Sequence, residues 1–514
     1  MEELQRSIPA SINYQDVLPV SVPAVARRKQ FYPNNGTTFN AAGTNEIRIE
    51  LSSVNALLDP VHSYLELFIF NNDPAATVGF DLGGGDILFS EVRVEQSGRI
   101  LAREQEHNRL HAGVLSAAQN TYQGQYSESI HGLQRGGNSG AGGGIQQMNP
   151  NLGPGVEATP FANLIHNTNV QAAVGQGMRV TLPMSTGLFT QDKLIPLPLV
   201  AQNQPITLVL IMDNSINCGS WSAAPATAGS LNITRISYVA QMIEVGGDVI
   251  SQIRMMQEMG GGQLTISSSD IEHSQGTVPA LSSGEQVVNL PIRKRSIKSL
   301  LFQINSQDFS RGALPLDASA FYNKSYGGSM NMNSYQLKVG SVVYPPQPVA
   351  CWGDTFRAAI NTRPTLPDQE RGECMMELTK ALGSLGFVNP SGRMAGVTYG
   401  VATAPARALG FPPLTDGDNG DGLFAPANLA TVSGNVQSIC PFGLDLDAFQ
   451  HTAIEAGVDT ETMALNTQLV FDIPPLVGGG GGGASGAESK EVHTWMIYDS
   501  HYLFNRDGTV SISD

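Results

Sequence analysis

Short runs in which apolar and polar residues alternate recur along this chain. "EIRIEL" (46–51), "SYLELFIF" (63–70) and "SEVRVEQ" (90–96) alternate or run apolar, the pattern of strands in a sandwich. "GMRVTLPM", "PITLVLIM" and "LNITRISYVAQMIEV" follow in the same half. Gly, Pro, Asn and Asp punctuate the runs, so they read as strands joined by turns. Two segments carry helical spacing instead: Leu101 to Ala118 and Asp368 to Leu385. In the first, Glu104 and Glu106 are expected near the positive end of the helix dipole.

The pattern is written twice. "EQVVNLP" (285–291) echoes "EIRIELS" (46–52), "SLLFQI" (299–304) echoes "SYLELFI" (63–69), and "SYQLKVGSVVY" (334–344) stands where "SEVRVEQSGRIL" (90–101) stood. An expected helix follows each set. "FGLDLDAF", "TMALNTQLVFDI" and "VHTWMIYDSHYLF" then close the second half, and "RDG" (506–508) marks a tight hairpin. Residue identity between the halves is low, so what repeats is architecture: two antiparallel β-sandwiches in tandem. Long connections at 119–175, with "GGNSGAGGG", and at 386–432 interrupt them, and six glycines at 478–483 read as a spacer.

Composition adds a second hint. At 514 residues the chain is too long for one core, and 41% apolar residues suffice for two. Charged residues reach only 14%, against about 25% in typical globular proteins. Of 29 basic residues eight are Lys, and Arg is the cation that interfaces favour. Both features suit a subunit of an assembly. A net charge of −16 makes a whole-surface attraction to DNA or to an anionic membrane implausible, so any such contact is local. Cys218, Cys351, Cys374 and Cys440 follow no zinc or disulfide spacing and are expected as buried apolar groups in a reducing compartment. "MEELQRSIPA" has no apolar core for a signal peptide, and no window nears the ~18 apolar residues of a membrane span. Synthesis in the cytosol or nucleus is expected.

The ordered set "FNAAGTNEIRIELSS" (39–53), "LDPVHSYLELFIF", "LPIRKRSIKSLLF", "FGLDLDAF" and "EAGVDTETMALNTQLVF" resembles the double jelly-roll major capsid proteins. The resemblance is nearest to those of virophages and polinton-like viruses, and more distant to adenovirus hexons and the coats of large icosahedral DNA viruses. It implies an all-β chain of two tandem eight-stranded antiparallel jelly rolls, with short helices and long loops. It further implies no enzymatic activity and no cofactor. The expected divisions are an N-terminal arm (1–40), a first jelly roll (41–245), a linker helix (246–262) and a second jelly roll (263–514). Expected partners are two further copies in a homotrimer, neighbouring capsomers, penton and minor capsid proteins, and genomic DNA touched weakly by the arm. The expected location is the virion. The alternative is a minor or vertex capsid protein, or a carbohydrate-binding β-sandwich used for attachment.

Two basic clusters are candidate sites. Arg27, Arg28 and Lys29 end an arm with four prolines and little periodicity, and are expected on the inner face, ordering on assembly. Arg293, Lys294, Arg295 and Lys298 sit in a turn between two strands. On the resemblance that turn is expected on the end carrying the long loops, where its cations contact acidic residues of a neighbouring barrel or solvent.

Other chemistry finds little support. The nine histidines include no His-x-His pair, which a bicupin enzyme would need for its metal. His107 and His111, four apart with Glu104 a turn earlier, have a spacing that could bind a metal, but "HNRLH" lacks the Glu of a zinc protease. A partly exposed amphipathic helix is expected there, and no metal. "TDGDNGDG" (415–422) lacks the ligand spacing of a calcium loop, and "GGGD" (83–86) reads as a turn and not a nucleotide loop. Trp221, Trp352 and Trp495 are scattered, which fits core or interface packing better than a sugar platform.

Overall fold

The computed structural model describes residues 24–72, 78–80, 84–115, 136–137, 158–159, 164–165, 178–191, 193–221, 229–279, 282–306, 332–351, 372–383, 441–448, 457–461, 466–473 and 489–513. The "TDGDNGDG" stretch, the glycine run and Trp352 lie outside them.

The first half builds two sheets from β1 (Ala24–Phe31), β2 (Thr38–Asn40), β3 (Glu46–Leu51), β4 (Ala56–Asn71), β5 (Phe89–Gln96), β6 (Arg99–Gln105), β7 (Met178–Pro183), β8 (Ile206–Met212) and β9 (Leu231–Val245). One sheet runs β1-β9-β4-β7, and the other β3-β8-β5-β6. β1 and β2 both pair with β9, at Ala24↔Val245 through Phe31↔Tyr238 and again at Thr38↔Thr234. They are therefore one interrupted first strand. Residues 24–31, expected within the N-terminal arm, belong to this sheet.

Helix α1 (Gly247–Met259) leads to the second half. Its strands are β10 (Gln263–Val278), β11 (Gly284–Leu290), β12 (Ile297–Ser306), β13 (Ser334–Val339) and β14 (Val342–Ala350). After helix α2 (Gly372–Gly383) come β15 (Pro441–Asp445), β16 (Thr467–Ile473) and β17 (Lys490–Asn505), with β18 (Val510–Ser513) folding back on β17. Their sheets run β10-β17-β12-β15 and β11-β16-β13-β14. Counted from one to eight within each half, both halves have the orders 1-8-3-6 and 2-7-4-5. The echoes in the sequence fall on equivalent strands, β3 on β11, β4 on β12 and β5 on β13.

Local chemistry explains the elements. In β4 the stretch from Ser63 to Asn71 is buried at every second residue, and the apolar ones among them face the core. β5 turns into β6 through Ser97 and Gly98, both at positive φ (52° and 78°), the pair that a tight hairpin requires. That hairpin corrects the helix expected from Leu101. Arg99–Gln105 is a strand, with Arg103 opposite Arg93 and paired with Glu91 at 2.8 Å. Glu106 at φ 51° ends it, and only then does the chain coil, as an α-turn (His107–Arg109) that widens into a π-helical turn (Leu110–Leu115). Cross-strand pairing has outweighed the helix propensity of "LAREQE". Helix α2 lies within the second expected helix.

Cys351 and Cys374, distant in sequence, lie side by side and buried, with the Cys374 thiol 3.0 Å from Cys351 Sγ. The core forms three clusters. One fills the first sandwich and takes in Ile266, Tyr502, Phe504 and Val510 from the second. Another fills the second sandwich. The third joins Leu110, Val114 and Leu115 to Leu301, Leu378, Trp495 and Ile497. The two sandwiches thus share apolar interior and are not beads on a string.

Candidate functional site

Successive strands run in opposite directions, so connections alternate between the two ends of each sandwich. In both halves the third-to-fourth, fifth-to-sixth and seventh-to-eighth connections share one end. Strands from three such connections, Val78–Phe80, Leu164–Ile165 and Gly219–Trp221, pair with one another there. The second-to-third, fourth-to-fifth and sixth-to-seventh connections lie at the opposite end. So do α1 and the start of β1. We call this the base.

Both basic clusters sit at or near the base. The turn at 291–296, expected on the end of the long connections, joins the second strand to the third and therefore lies opposite them. Its cations are engaged within their own sandwich. Lys294 Nζ is 3.6 Å from Glu272 and 4.1 Å from the Tyr498 ring centre, Arg295 pairs with Glu461 at 2.7 Å, and Lys298 pairs with Asp499. Arg293 is exposed. The cluster behaves as a latch holding a turn to β10, β17 and the segment at 457–461. Replacing Lys298 with Gln should lower stability by about 1–3 kcal/mol, because Asp499 would lose a half-buried partner. Replacing Arg293 with Gln should change it by less than about 0.5 kcal/mol. Urea unfolding followed by circular dichroism reads both.

Arg27, Arg28 and Lys29 lie on β1 and are exposed. Arg27 reaches Glu244 at 3.2 Å, Arg28 reaches Glu66 at 3.6 Å and lies over the Tyr64 ring, and Lys29 approaches the Ser52 carbonyl at 3.4 Å. Such exposed pairs contribute about 0–1 kcal/mol each and leave most of each cation facing outward.

The seam between the sandwiches is polar as well as apolar. Gln96 Nε2 donates to the Gly508 carbonyl at 2.9 Å and its Oε1 accepts from Val510 N–H at 2.6 Å. Ser268 Oγ donates to the Gly187 carbonyl at 2.7 Å, and Trp495 Nε1 to Gln105 O at 3.3 Å. Buried Asp270 accepts from Tyr502 at 2.8 Å and from Ser500 at 2.7 Å. Burial and the Asp270 charge push the Tyr502 phenol well above its ordinary pKa, so it stays a donor.

A titratable cluster lies behind this seam. His107 places Nδ1 2.9 Å from Glu104 and Nε2 3.2 Å from Asp86, all three side chains buried. The partly exposed helix expected here is instead a buried turn. Burial alone would lower the His107 imidazole, but Glu104 and Asp86 outweigh it and push its pKa up to about 10. The Glu104 carboxyl, which burial raises, is brought well below the usual range by His107 and His111. Asp86 was invisible to sequence spacing: it arrives from the turn Gly84–Leu88, 21 residues before His107.

No family model and no curated protein matches the sequence. Solved structures do match its shape. The crystal structure of PBCV-1 VP54, fitted into a reconstruction of the virophage Sputnik, superposes with a TM-score of 0.54 at 9% identity, covering 98% of this chain and 99% of that one. The Faustovirus major capsid protein gives 0.51 at 8% identity, with 95% and 92% covered. The Sputnik virophage structure gives 0.50 at 11% identity, with 98% and 90% covered. The fold is a double jelly roll.

In this double jelly roll the exposed large apolar side chains also favour the base. Among the described residues, Val25, Val54, Ile100, Val342 and the α1 residues Met255, Met256 and Met259 all lie on elements at that end. Met259 is 83% exposed, which a solvated helix face gains nothing from. Among the described residues no helix is long and apolar enough to cross a membrane.

Proposed function

We propose that this chain is the major capsid protein of a double-stranded DNA virus. It acts without catalysis, as a homotrimer whose six jelly rolls approximate a hexagon and tile an icosahedral shell. One observation carries the reading. Two sandwiches of identical strand order stand side by side with like ends together, locked by a common core. A three-fold assembly of such chains presents six similar walls, which is what hexagonal packing needs. The solved structures of similar shape described above, one of them a major capsid protein by name, support the same conclusion.

The base, with its basic clusters and exposed methionines, is the face turned towards the particle interior. There Arg27, Arg28 and Lys29 meet minor capsid proteins or, weakly, the genome. The cations at 293–298 serve chiefly to close their own jelly roll. The trimer interface is obligate and buries more than ~2,000 Å². Native mass measurement of the purified chain should give a trimer, and negative-stain microscopy three-fold particles of hexagonal outline. A stable monomer at micromolar concentration would contradict the proposal. A vertex or attachment protein would be scarce in particles, whereas this subunit should dominate a stained gel.

The arm supplies a further prediction. Deleting residues 1–23 should leave trimers intact and impair shell formation. Deleting 1–31 should also destabilise the first jelly roll, because it strips β1 from β9. Sedimentation and thermal unfolding separate the two effects.

A further inference from the structure

We propose that Asp86, His107 and His111 form a zinc-binding site, with Glu104 and Ser185 holding the two imidazoles from behind. The candidate ligand atoms all lie within 4.8 Å of one another. His107 Nε2 is 3.2 Å from Asp86 Oδ1, and His111 Nδ1 is 3.5 Å from Asp86 Oδ2. A tetrahedral ion with bonds of about 2.0–2.2 Å separates its ligand atoms by about 3.3 Å, close to these distances.

The far nitrogens complete the argument. His107 Nδ1 faces Glu104 Oε1 at 2.9 Å, and His111 Nε2 faces Ser185 Oγ at 3.1 Å and Glu104 Oε1 at 3.5 Å. Thr186 fixes the other Glu104 oxygen at 2.7 Å. A histidine whose distal nitrogen is held by a carboxylate or hydroxyl presents its near nitrogen in one tautomer and one direction, the arrangement that metal-binding imidazoles use. The rings lie 4.1 Å apart, so both can reach one ion.

Charge and donor type choose the ion. Two carboxylates, Asp86 and Glu104, face two imidazoles here. With a divalent ion and two neutral imidazoles the same four groups sum to zero, which suits burial. Two nitrogen donors select zinc over calcium or magnesium, which take oxygen. The ion would clasp the Gly84–Leu88 turn to the His107 turn, behind Thr186, whose neighbour Gly187 meets Ser268 of the second jelly roll. Its role is structural, with water in the fourth position.

The test uses full-length, tag-free protein stripped with a chelator and then dialysed against zinc or cobalt(II). About one ion per chain should remain after desalting, with a raised melting temperature. Cobalt should show the intense visible bands of a four-coordinate site. D86N and H111Q should reduce binding to background, E104Q should weaken it about 10- to 100-fold, and H62Q, at an exposed histidine, should leave it unchanged. Failure of the wild-type chain to retain zinc at micromolar free ion would overturn the site in favour of an ion-free salt bridge. So would equal retention in D86N and H111Q, or a weak six-coordinate cobalt spectrum, which needs no variant to fold.

Discussion

Trp495→Ala is expected to lower the stability of the chain by about 3–5 kcal/mol. Trp495 is fully buried on β17, where one face of the strand meets the core of the second jelly roll and the other meets the first. Its indole lies among Leu110, Val114 and Leu115 of one half and Leu301, Leu378 and Ile497 of the other, and its N–H caps the last carbonyl of β6. Truncation opens a cavity that neither half can fill alone and leaves the Gln105 carbonyl short of a donor. Trp495→Phe should recover most of the packing and lose only the hydrogen bond. Urea unfolding followed by circular dichroism reads the difference. A cost below about 1 kcal/mol for the alanine variant would mean that the third cluster does not couple the two halves.

Gly187→Ala should prise the jelly rolls apart. Gly187 has φ +53°, and a Cβ placed there would stand 2.4 Å from Ala102 Cβ, 2.4 Å from the Tyr502 hydroxyl and 2.7 Å from Asp270. The left-handed backbone costs a residue with a Cβ about 1–2 kcal/mol, and the overlap adds about 1–3 kcal/mol or more. The methyl group would enter the Tyr502 and Asp270 contact, so the strain falls on a buried hydrogen-bonded carboxylate. Gly98→Ala is the control: its φ is +78° but nothing lies within 4 Å of the added carbon. Limited proteolysis across the α1 linker should quicken markedly in the Gly187 variant and hardly in the Gly98 variant. Equal rates would remove Gly187 from the seam.

What the sequence disclosed follows the physics of faces. β3 and β4 each have one face in a core and one outside it, so their alternation was legible, and so was the repeat. β17 is buried on both faces over "KEVHTWMIY", so its apolar run announced a strand but not the second partner behind it. β6 was read as helix because "LAREQE" has helical preference, and only the pairing with β5 overrides it. The turn at 291–296 was recognisable, but its end of the molecule depends on counting strands, and the first strand of each half, β1 with β2 and β10, gave a weak apolar signal. Glu104, His107 and His111 share a short stretch and could be grouped by spacing. Asp86 and Ser185 reach them only through the fold.

The alternation of connections has an evolutionary consequence. In both halves the longest chain excursions, between β6 and β7 and between α2 and β15, leave from the same pole of the molecule. Insertions there can lengthen, shrink or change character without touching the opposite pole, where the second-to-third and fourth-to-fifth turns are short and the turn at 291–296 is latched. A chain built on this plan can have one surface remodelled while the strand order and the interior shared by its two sandwiches stay as they are.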